Sequence, residues 1–344
     1  MKFDILSEYC FVNMGQSPAS ETYNNNADGL PFYQGNADFG EIHPQTRIWC
    51  SAPVKIANKG DLLISVRAPI GALNIATEQC CIGRGLAALT PKLDKCRIKY
   101  IYFAIQSQIN FLIANGTGST FKAVNKNTLE NLLIPVSSLN KQDEIVNIFE
   151  KLNNIINKRK EQLLLMDNAV KSRFIEMFGD AQVNPRNFTI MPWEKVFFTT
   201  TGKLDSNAMV EDGQYPFFTC AKEIFKIDTY AFDCEALLLA GNNAAGIYDV
   251  KYYKGKFNAY QRTYVLRLTN SRWSYQLFKK QLEDKLLYLQ TKSKGTNTRY
   301  LTMGILKELQ FLVPPIILQN EFAYFVKKTD KSKFVIQKSL NYLL

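Results

Sequence analysis

The chain contains a single histidine, His43, among 344 residues. This excludes a catalytic triad built on any other histidine and any zinc site that needs two histidine ligands. The seven cysteines are an odd number without C-x-x-C spacing, which is typical of reduced, mostly buried thiols. The chain also lacks an apolar run of the ~18 residues that span a membrane, and its N-terminus lacks the regions of a secretory signal. These absences predict a cytoplasmic protein without a membrane partner.

Motifs for catalysis are missing as well. There is no G-x-x-x-x-G-K-[ST] loop for nucleotide phosphates, and the G-R-G stretch at 83–85 lacks the third glycine of a dinucleotide-binding loop. The pairs N-N at 242–243 and P-P at 314–315 do not form the [ND]-P-P-[YF] turn with which amino-methyltransferases hold a flipped base. The sequence therefore favours recognition over catalysis.

The sequence repeats itself. A G-T-x-[ST]-x-aromatic pattern begins at Gly116 and again at Gly295, and in each copy a proline closes an apolar run at the same distance downstream. Pro135 and Pro314 are these prolines, so the pattern predicts an internal repeat with an offset of 179 residues. Leu139 with Leu318 and Gln142 with Glu321 share this offset. Looser matches lie upstream, where the offset drifts: 31–32 with 216–217, the turn before Gly71 with that before Gly246, and Arg84 with Arg262.

Each repeat is predicted to combine strands and helices. Apolar runs between Gly, Asn and Pro turns predict strands near 61–66, 86–89, 236–240 and 264–268. Helical spacing of apolar residues marks 98–113 and 274–289. The sequence therefore predicts an α+β fold.

A long helix follows each globular part. After Asn140, a possible N-cap, apolar residues recur every three or four positions until Gly179, which predicts a helix of about 38 residues and roughly 57 Å. The second helix begins near Leu318, matches the first at an offset of 177, and is about twelve residues shorter in this sequence. Because an apolar stripe on a lone helix would face water, we expect the two helices to pair, although packing of each on its own domain is the alternative.

Positive charge is concentrated in the second repeat. The whole chain has a net charge of +11, and the segment 251–307 alone contains 13 basic and two acidic residues, with tyrosines interleaved. Basic, aromatic and amide side chains are those that contact phosphates and base edges. The predicted nucleic-acid-binding residues are Gln261, Arg262, Lys294, Thr296, Asn297 and Arg299 in repeat two, and Arg67, Arg84, Thr117, Ser119, Thr120 and Lys122 in repeat one.

Two alternatives apply to these candidates. Arg84 and Arg262 each lie beside a strand-like run and could form structural ion pairs. The two G-T-x-[ST] stretches could be loops that only close on helix N-termini.

The ordered, duplicated set of motifs resembles the DNA-specificity (S) subunits of type I restriction–modification enzymes, over nearly the whole chain. The motifs that carry the resemblance are 116–121, 132–135, Leu139, Gln142 and the long helix, together with 60–65, 295–296, 314–318 and 330–333. The sequence departs from the family pattern at 135–138, where P-V-S-S replaces the usual proline pair, and at Glu321, which takes the place of a glutamine.

The resemblance implies two target recognition domains, at 1–139 and 180–317, joined by spacer helices at 140–179 and 318–344 that pair as an antiparallel coiled coil. Each domain would read one half of an interrupted, asymmetric sequence in double-stranded DNA. The helices would set the gap and dock modification (methyltransferase) subunits, to which restriction (nuclease-translocase) subunits add. S-adenosylmethionine, ATP and Mg would be bound by those partners, and no cofactor by this chain.

The shorter second helix gives a further expectation. It would leave the first helix uncovered around Phe174 and Met177, so the chain alone would be poorly soluble and would be stabilised by its modification subunit. Two other functions stay open: a fused single-chain DNA methyltransferase/nuclease, and a non-catalytic RNA-binding coiled-coil protein. Salt-dependent binding to random duplex DNA, compared with single-stranded RNA, would discriminate between DNA and RNA partners.

Overall fold

The computed structural model describes residues 2–117 and 122–343. Its contacts divide the chain into two units, Met1–Ile156 (unit 1) and Asn157–Leu344 (unit 2), and the boundary falls within one long helix. Each unit combines sheets with helices, which confirms the predicted α+β class. Within the described ranges, no helix is long and apolar enough to cross a membrane.

Unit 1 consists of short strands followed by helices. The strands are β1 Lys2–Ile5, β2 Cys10–Met14, β3 Tyr23–Asn24, β4 Leu30–Tyr33, β5 Trp49–Cys50, β6 Ile56–Ala57, β7 Leu62–Ser65, β8 Leu73–Ile75, β9 Cys80–Ile82, β10 Leu86–Pro91 and β11 Leu133–Val136. The helices are α1 Ile98–Gln106, α2 Ile109–Ala114, α3 Lys126–Glu130 and the start of α4 Leu139–Phe178. The strand orders are β2-β10-β7-β8 and β3-β5-β4-β9-β6, and β1 pairs with β11.

Unit 2 contains the end of α4 and a second set of sheets. The strands are β12 Thr189–Pro192, β13 Phe197–Thr201, β14 Tyr215–Phe218, β15 Phe225–Ile227, β16 Phe232–Ala240, β17 Asn242–Asn243, β18 Val250–Ala259, β19 Thr263–Leu268, β20 Arg299–Tyr300 and β21 Gln310–Val313. The helices are α5 Trp193–Val196, α6 Tyr275–Asp284, α7 Leu286–Lys292, α8 Met303–Lys307 and α9 Ile316–Asn341. The strand order of the main sheet is β13-β19-β16-β18-β14-β15, while β12 pairs with β21 and β17 with β20.

The central strand of each unit is buried on both faces. In β7, Leu62 and Ile64 belong to the cluster that includes the helical residue Ile101, whereas Leu63 belongs to a second cluster on the opposite face. In β16, Leu237 and Leu238 divide in the same way between two clusters. Alternation along a strand places neighbouring side chains on opposite faces, so these strands appear in sequence as continuous apolar runs.

The predicted strands are confirmed in β7, β10, β16 and β19, which pair in the order β7–β10 and β16–β19. The two predicted medium helices are each interrupted, at 107–108 and at Lys285. The long helix α4 begins at Leu139, and the Gln142 N–H donates to the Ser138 carbonyl. The prediction of Asn140 as N-cap is therefore wrong, because Asn140 lies within the first turn.

The cysteines are free and mostly buried, as predicted. Cys220 and Cys234 are partly exposed and the other five are buried. Burial raises the pKa of the Cys80 thiol to about 12, which keeps it protonated and unreactive at neutral pH.

A buried glutamine near the start of each long helix shows how the two copies of the repeat align. The side chain of Gln142 accepts a hydrogen bond from the Arg97 N–H (2.9 Å) and donates to the Ser137 carbonyl (2.9 Å). Gln319 accepts from the Ser274 N–H (3.0 Å) and donates to the Pro314 carbonyl (2.8 Å). All three residues of the first set are related to those of the second by 177 positions.

The predicted offset of 179 is therefore wrong by two residues. The helices α4 and α9 also begin 177 residues apart, which confirms the offset predicted for the helices. The two prolines that suggested 179 differ in role, because Pro135 pairs with Phe3 within β11 whereas Pro314 follows the end of β21. Gln319, not Glu321, is the counterpart of Gln142, so the expected departure from the family pattern at Glu321 does not exist.

Replacing Gln319 with leucine should destabilise unit 2. The side chain is fully buried, and leucine would leave the Ser274 N–H and the Pro314 carbonyl without partners. We expect Gln319→Leu to lower the free energy of unfolding by about 1–3 kcal/mol, measured by denaturant titration. Gln337→Leu, an exposed position in the same helix, is the matched control and should change it by less than about 0.5 kcal/mol. Equal effects of the two substitutions would contradict the assigned role.

Within unit 2, the end of α4 packs against α9 in the antiparallel sense. The Phe322 ring lies 5.7 Å from the Phe174 ring and 5.6 Å from the Phe178 ring. Further along α9, the Lys333 ammonium lies 2.5 Å from the Asp167 carboxylate. Residue numbers thus increase along α9 in the direction in which they decrease along α4, so the two helices are antiparallel here. Coiled-coil pairing over the full length of the helices stays a prediction.

The expectation that Phe174 and Met177 lack cover is wrong. Both are buried, in a cluster with Leu277 and Phe322. In an antiparallel pair the beginning of the second helix meets the end of the first, so a shorter C-terminal end of α9 does not uncover these residues.

Candidate nucleic-acid interface

In unit 1, the glycine-threonine loop closes on itself beside Arg67. The Thr117 N–H donates to the Ala123 carbonyl (2.9 Å) and the Ala123 N–H donates back to Thr117 (2.8 Å). Ala123 also forms a β-bridge with Arg67, which brings the exposed residues Arg67, Thr117 and Lys122 together. The predicted residues Ser119 and Thr120 lie outside the described residues.

Arg84 joins Arg67 at a concave site. The cavity has a volume of about 220 Å³ and is lined by Ser17, Gln34, Gly35, Asn36, Arg67, Ala68, Arg84 and Gly85. The Arg84 N–H donates to the Ser17 hydroxyl (3.2 Å), while both arginines are exposed. Across residues 2–117 and 122–343, neither guanidinium has an ion-pair partner, so the structural ion pair considered for Arg84 is not present there.

In unit 2, the corresponding loop joins β17. Lys294 and Tyr300 form a β-bridge, and Arg299 of β20 pairs with Asn243 of β17. The Arg299 guanidinium donates to the Gln290 carbonyl at 3.2 Å. Thr296 and Asn297 are exposed within the loop that this bridge closes.

Arg262 and Gln261 lie on the neighbouring turn. The Arg262 carbonyl accepts from the Gly241 N–H at 2.8 Å, directly before β17. The Gln261 amide is 3.5 Å from the Asp205 carboxylate. Arg262 also has no ion pair within the part of the chain that the structure describes, so the structural alternative fails for it as well.

Equivalent hydrogen bonds align the two sites residue by residue. The bond from the Val66 N–H to the Gly85 carbonyl corresponds to the bond from Gly241 to Arg262. The predicted match of Arg84 with Arg262 is therefore wrong by one residue: Gly85 takes the place of Arg262, and Arg84 that of Gln261. In the loops, the bridges Thr117–Ala123 and Lys294–Tyr300 correspond, so Lys122 is the counterpart of Arg299.

In the folded structure, carboxylates offset more of the positive charge of the basic segment 251–307 than its sequence suggests. Five of its lysines form ion pairs with carboxylates: Lys251 with Asp249, Lys254 with Glu235, Lys279 with Glu283, Lys280 with Asp284, and Lys307 with Glu194. Asp249, Glu235 and Glu194 lie outside the segment, so a count along the sequence misses them. Burial lowers the pKa of the Lys285 ammonium, whose nitrogen lies 5.6 Å from the centre of the Phe311 ring. Arg262, Lys294 and Arg299 remain exposed.

The family model for the type I restriction modification DNA specificity domain matches residues 5–165 and 187–343. The chain belongs to this family. Its duplication matches the two units and their repeated hydrogen bonds.

Similar proteins share parts of the chain. It is 40% identical over 159 residues to a Methanocaldococcus jannaschii protein named for the specificity subunit of the type I restriction enzyme MjaX, an alignment that covers 45% of this chain and 37% of the relative. It is 42% identical over 117 residues to the type I restriction enzyme EcoDI specificity subunit of Escherichia coli, covering 33% of this chain and 25% of that subunit. The aligned parts thus span less than half the length of these relatives.

A solved structure shares the whole fold of this specificity-domain family member. The type I restriction-modification system S subunit from M. genitalium aligns over 99% of this chain and 92% of its own, with a TM-score of 0.67 and 15% sequence identity. This similarity supports the fold alone.

The sequence interpretation missed several residues at the two sites. Gln34 and Asn36 line the cavity with Arg84, and Asn242 and Asn243 pair with the strand of Arg299. The sequence match of 31–32 with 216–217 lies directly before Gln34 and Asn36. Nothing in the sequence, however, showed that the segment with Gln34 and Asn36 lies close to Arg84.

Proposed function

We propose that this chain is the non-catalytic DNA-specificity subunit of a type I restriction–modification complex. Its two target recognition domains, 1–139 and 180–317, each read one half of an interrupted, asymmetric sequence in double-stranded DNA. The observation that carries the proposal is the pair of equivalent sites, in which exposed basic residues lie at the same β-bridge and form no ion pair among the described residues: Arg67 and Lys122 in one, Lys294 and Arg299 in the other.

The chemistry of both sites fits duplex DNA. Exposed lysines and arginines contact phosphates, whereas forked guanidinium and amide groups read base edges in the major groove. Arg67, Arg84, Lys122, Arg262, Lys294 and Arg299 supply the positive charge, and Thr117, Ser119, Thr120, Gln261, Thr296 and Asn297 supply smaller polar groups.

Partners supply the catalysis in this proposal. Modification subunits would dock on the spacer helices 140–179 and 318–344, and restriction subunits would join them. S-adenosylmethionine, ATP and Mg would be bound there. Exposed apolar side chains on both helices support such docking, among them Leu164, Leu165, Tyr324 and Phe334. The free cysteines support a cytoplasmic location, because oxidising compartments favour disulfides.

Two lysines of the basic segment test the proposal. Lys294→Ala should weaken DNA binding and reduce the slope of log affinity against log salt by about one, because one phosphate contact is lost. Lys254→Ala removes the same charge from a lysine that is paired with Glu235, and we expect little change. Fluorescence anisotropy across a salt series measures both variants. Identical slopes for the parent and both variants would contradict the site.

Two further measurements distinguish the proposed function from the two alternatives. Tighter binding of single-stranded RNA than of duplex DNA would favour an RNA-binding protein. Methylation of DNA by the purified chain with added S-adenosylmethionine would show a fused enzyme instead.

A further inference from the structure

We propose that Gln34 and Asn36 are base-reading residues of unit 1 and that their side-chain amides recognise adenine. This inference rests on the proposed function and assigns a specificity-determining role within it. No motif of the repeat marks these residues, and they lie in the short segment that follows β4.

The backbone of this segment is held rigidly. The Asp38 carboxylate accepts hydrogen bonds from the Gln34 N–H (2.7 Å) and the Gly35 N–H (3.4 Å). Arg47 donates to the same carboxylate (2.6 Å) and to the Ala37 carbonyl (2.7 Å). The segment is therefore ordered before any ligand binds, which lowers the entropy cost of recognition.

The side-chain amides are free although the backbone is bonded. Across the described ranges, the amides of Gln34 and Asn36 have no hydrogen-bond partner, and Gln34 is exposed. Both line the cavity that contains Arg67 and Arg84, and both also line a second cavity of about 490 Å³ on the Arg47 side. The segment thus forms a ridge between two concave surfaces. Within the described residues, neither the amides on the ridge nor the guanidinium groups of Arg67 and Arg84 beside it have a partner, whereas Arg47 is paired with Asp38.

Gly85 allows this ridge to approach Arg84. A Cβ atom at position 85 would lie 2.3 Å from the Gln34 carbonyl oxygen, which is closer than atoms can pack. In unit 2, Arg262 takes the place of Gly85, and the corresponding segment contacts the Arg262 carbonyl through the Cys220 thiol (3.4 Å).

The corresponding segment of unit 2 has different chemistry. The strand β4 pairs with β9 as β14 pairs with β18, which makes Tyr33 equivalent to Phe218 and Gln34 equivalent to Thr219. Thr219 is buried, and its hydroxyl accepts a hydrogen bond from the Ala221 N–H (3.1 Å). Unit 2 therefore offers no free amide at this position, and the two units present different groups to DNA.

Amide chemistry determines the base. A glutamine or asparagine side chain offers one donor and one acceptor, which match the N7 acceptor and N6 donor of adenine in the major groove. Neighbouring arginines hold the phosphates that fix the register. A carboxylate in place of the amide accepts only, and pairs with the N4 donor of cytosine.

The test selects binding sites from a randomised duplex library with the full chain. We expect the parent to select a two-part motif with adenine at one or two positions of one half. Gln34→Ala and Asn36→Ala should each lose the preference at one such position and bind the parent motif roughly 5- to 150-fold more weakly, with an unchanged salt slope. Gln34→Glu should replace adenine with cytosine. Gln106→Ala, an exposed amide on α1, is the matched control and should select the parent motif.

The outcomes separate this inference from the proposed function. If the parent binds duplex DNA but selects no motif, the proposed function fails. If the parent selects a motif and the Gln34 and Asn36 variants select the same one, only the base-reading role fails. A change in both halves, or a loss of folding in a thermal melt of either alanine variant, would also overturn it, because it would show a structural role for the amide.

Discussion

Lengthening both long helices by one heptad is expected to widen the gap between the two half-sites and to leave their bases unchanged. The ion pair between Lys333 and Asp167 sets the register, so the insertions belong after Asp167 in α4 and before Lys333 in α9. Seven residues add about 10.5 Å of helix, close to three base pairs at roughly 3.4 Å each. A heptad keeps the apolar stripe in the seam, whereas other lengths would rotate it away.

The added base pairs also turn the DNA by about 100°, given 10–10.5 base pairs per turn. Weaker methylation is therefore expected, and a gap increase of either two or three base pairs is expected if the helices are the spacer. Methylation mapping of a host that expresses the variant with its modification subunit measures the gap. A heptad inserted in α4 alone is the control and should abolish binding, because the seam loses its register. An unchanged gap, or altered bases in either half, would show that the helices are not the spacer.

Replacing Phe322 with alanine is expected to cost unit 2 about 3–5 kcal/mol of its free energy of unfolding. The side chain has 0% exposure and contacts the rings of Phe174 and Phe178, so alanine leaves a cavity where α4 meets α9. Phe334 in the same helix is 71% exposed, and Phe334→Ala should change the free energy by less than about 0.5 kcal/mol.

Denaturant titration followed by circular dichroism measures both phenylalanine variants. A small effect of Phe322→Ala would mean that the end of α4 does not depend on α9 for its packing. An equally large effect of Phe334→Ala would instead show that the outer face of α9 is buried in solution.

The local pattern of apolar residues predicted the strands and helices of the fold. The alignment of the two repeats could be determined only from the structure. Strands such as β7 and β16 were predicted because burial on both faces makes them continuous apolar runs. The register failed at Pro135 and Pro314, where one residue type occupies two structural positions. The side-chain hydrogen bonds of Gln142 and Gln319 reveal the true correspondence, and the starts of α4 and α9 agree with it.

The candidate site was predictable only where its residues lie next to a local sequence motif. Lys122 and Arg299 lie beside glycine-threonine motifs that are visible in the sequence. By contrast, the neutralisation of Lys254 by Glu235 and the approach of Gln34 to Gly85 depend on distant segments. No count along the chain contains that information.

The two buried, hydrogen-bonded glutamines Gln142 and Gln319, which we call glutamine clasps, have a consequence for the inheritance of DNA specificity. Each clasp ties the start of a long helix to its own unit, through Ser137 and Arg97 in one and through Pro314 and Ser274 in the other. A genetic crossover within the codons that follow a clasp would therefore transfer a complete domain with its anchorage intact. Under the proposed function, such an exchange gives a daughter strain a new half of the DNA target in one step, while the other half is kept.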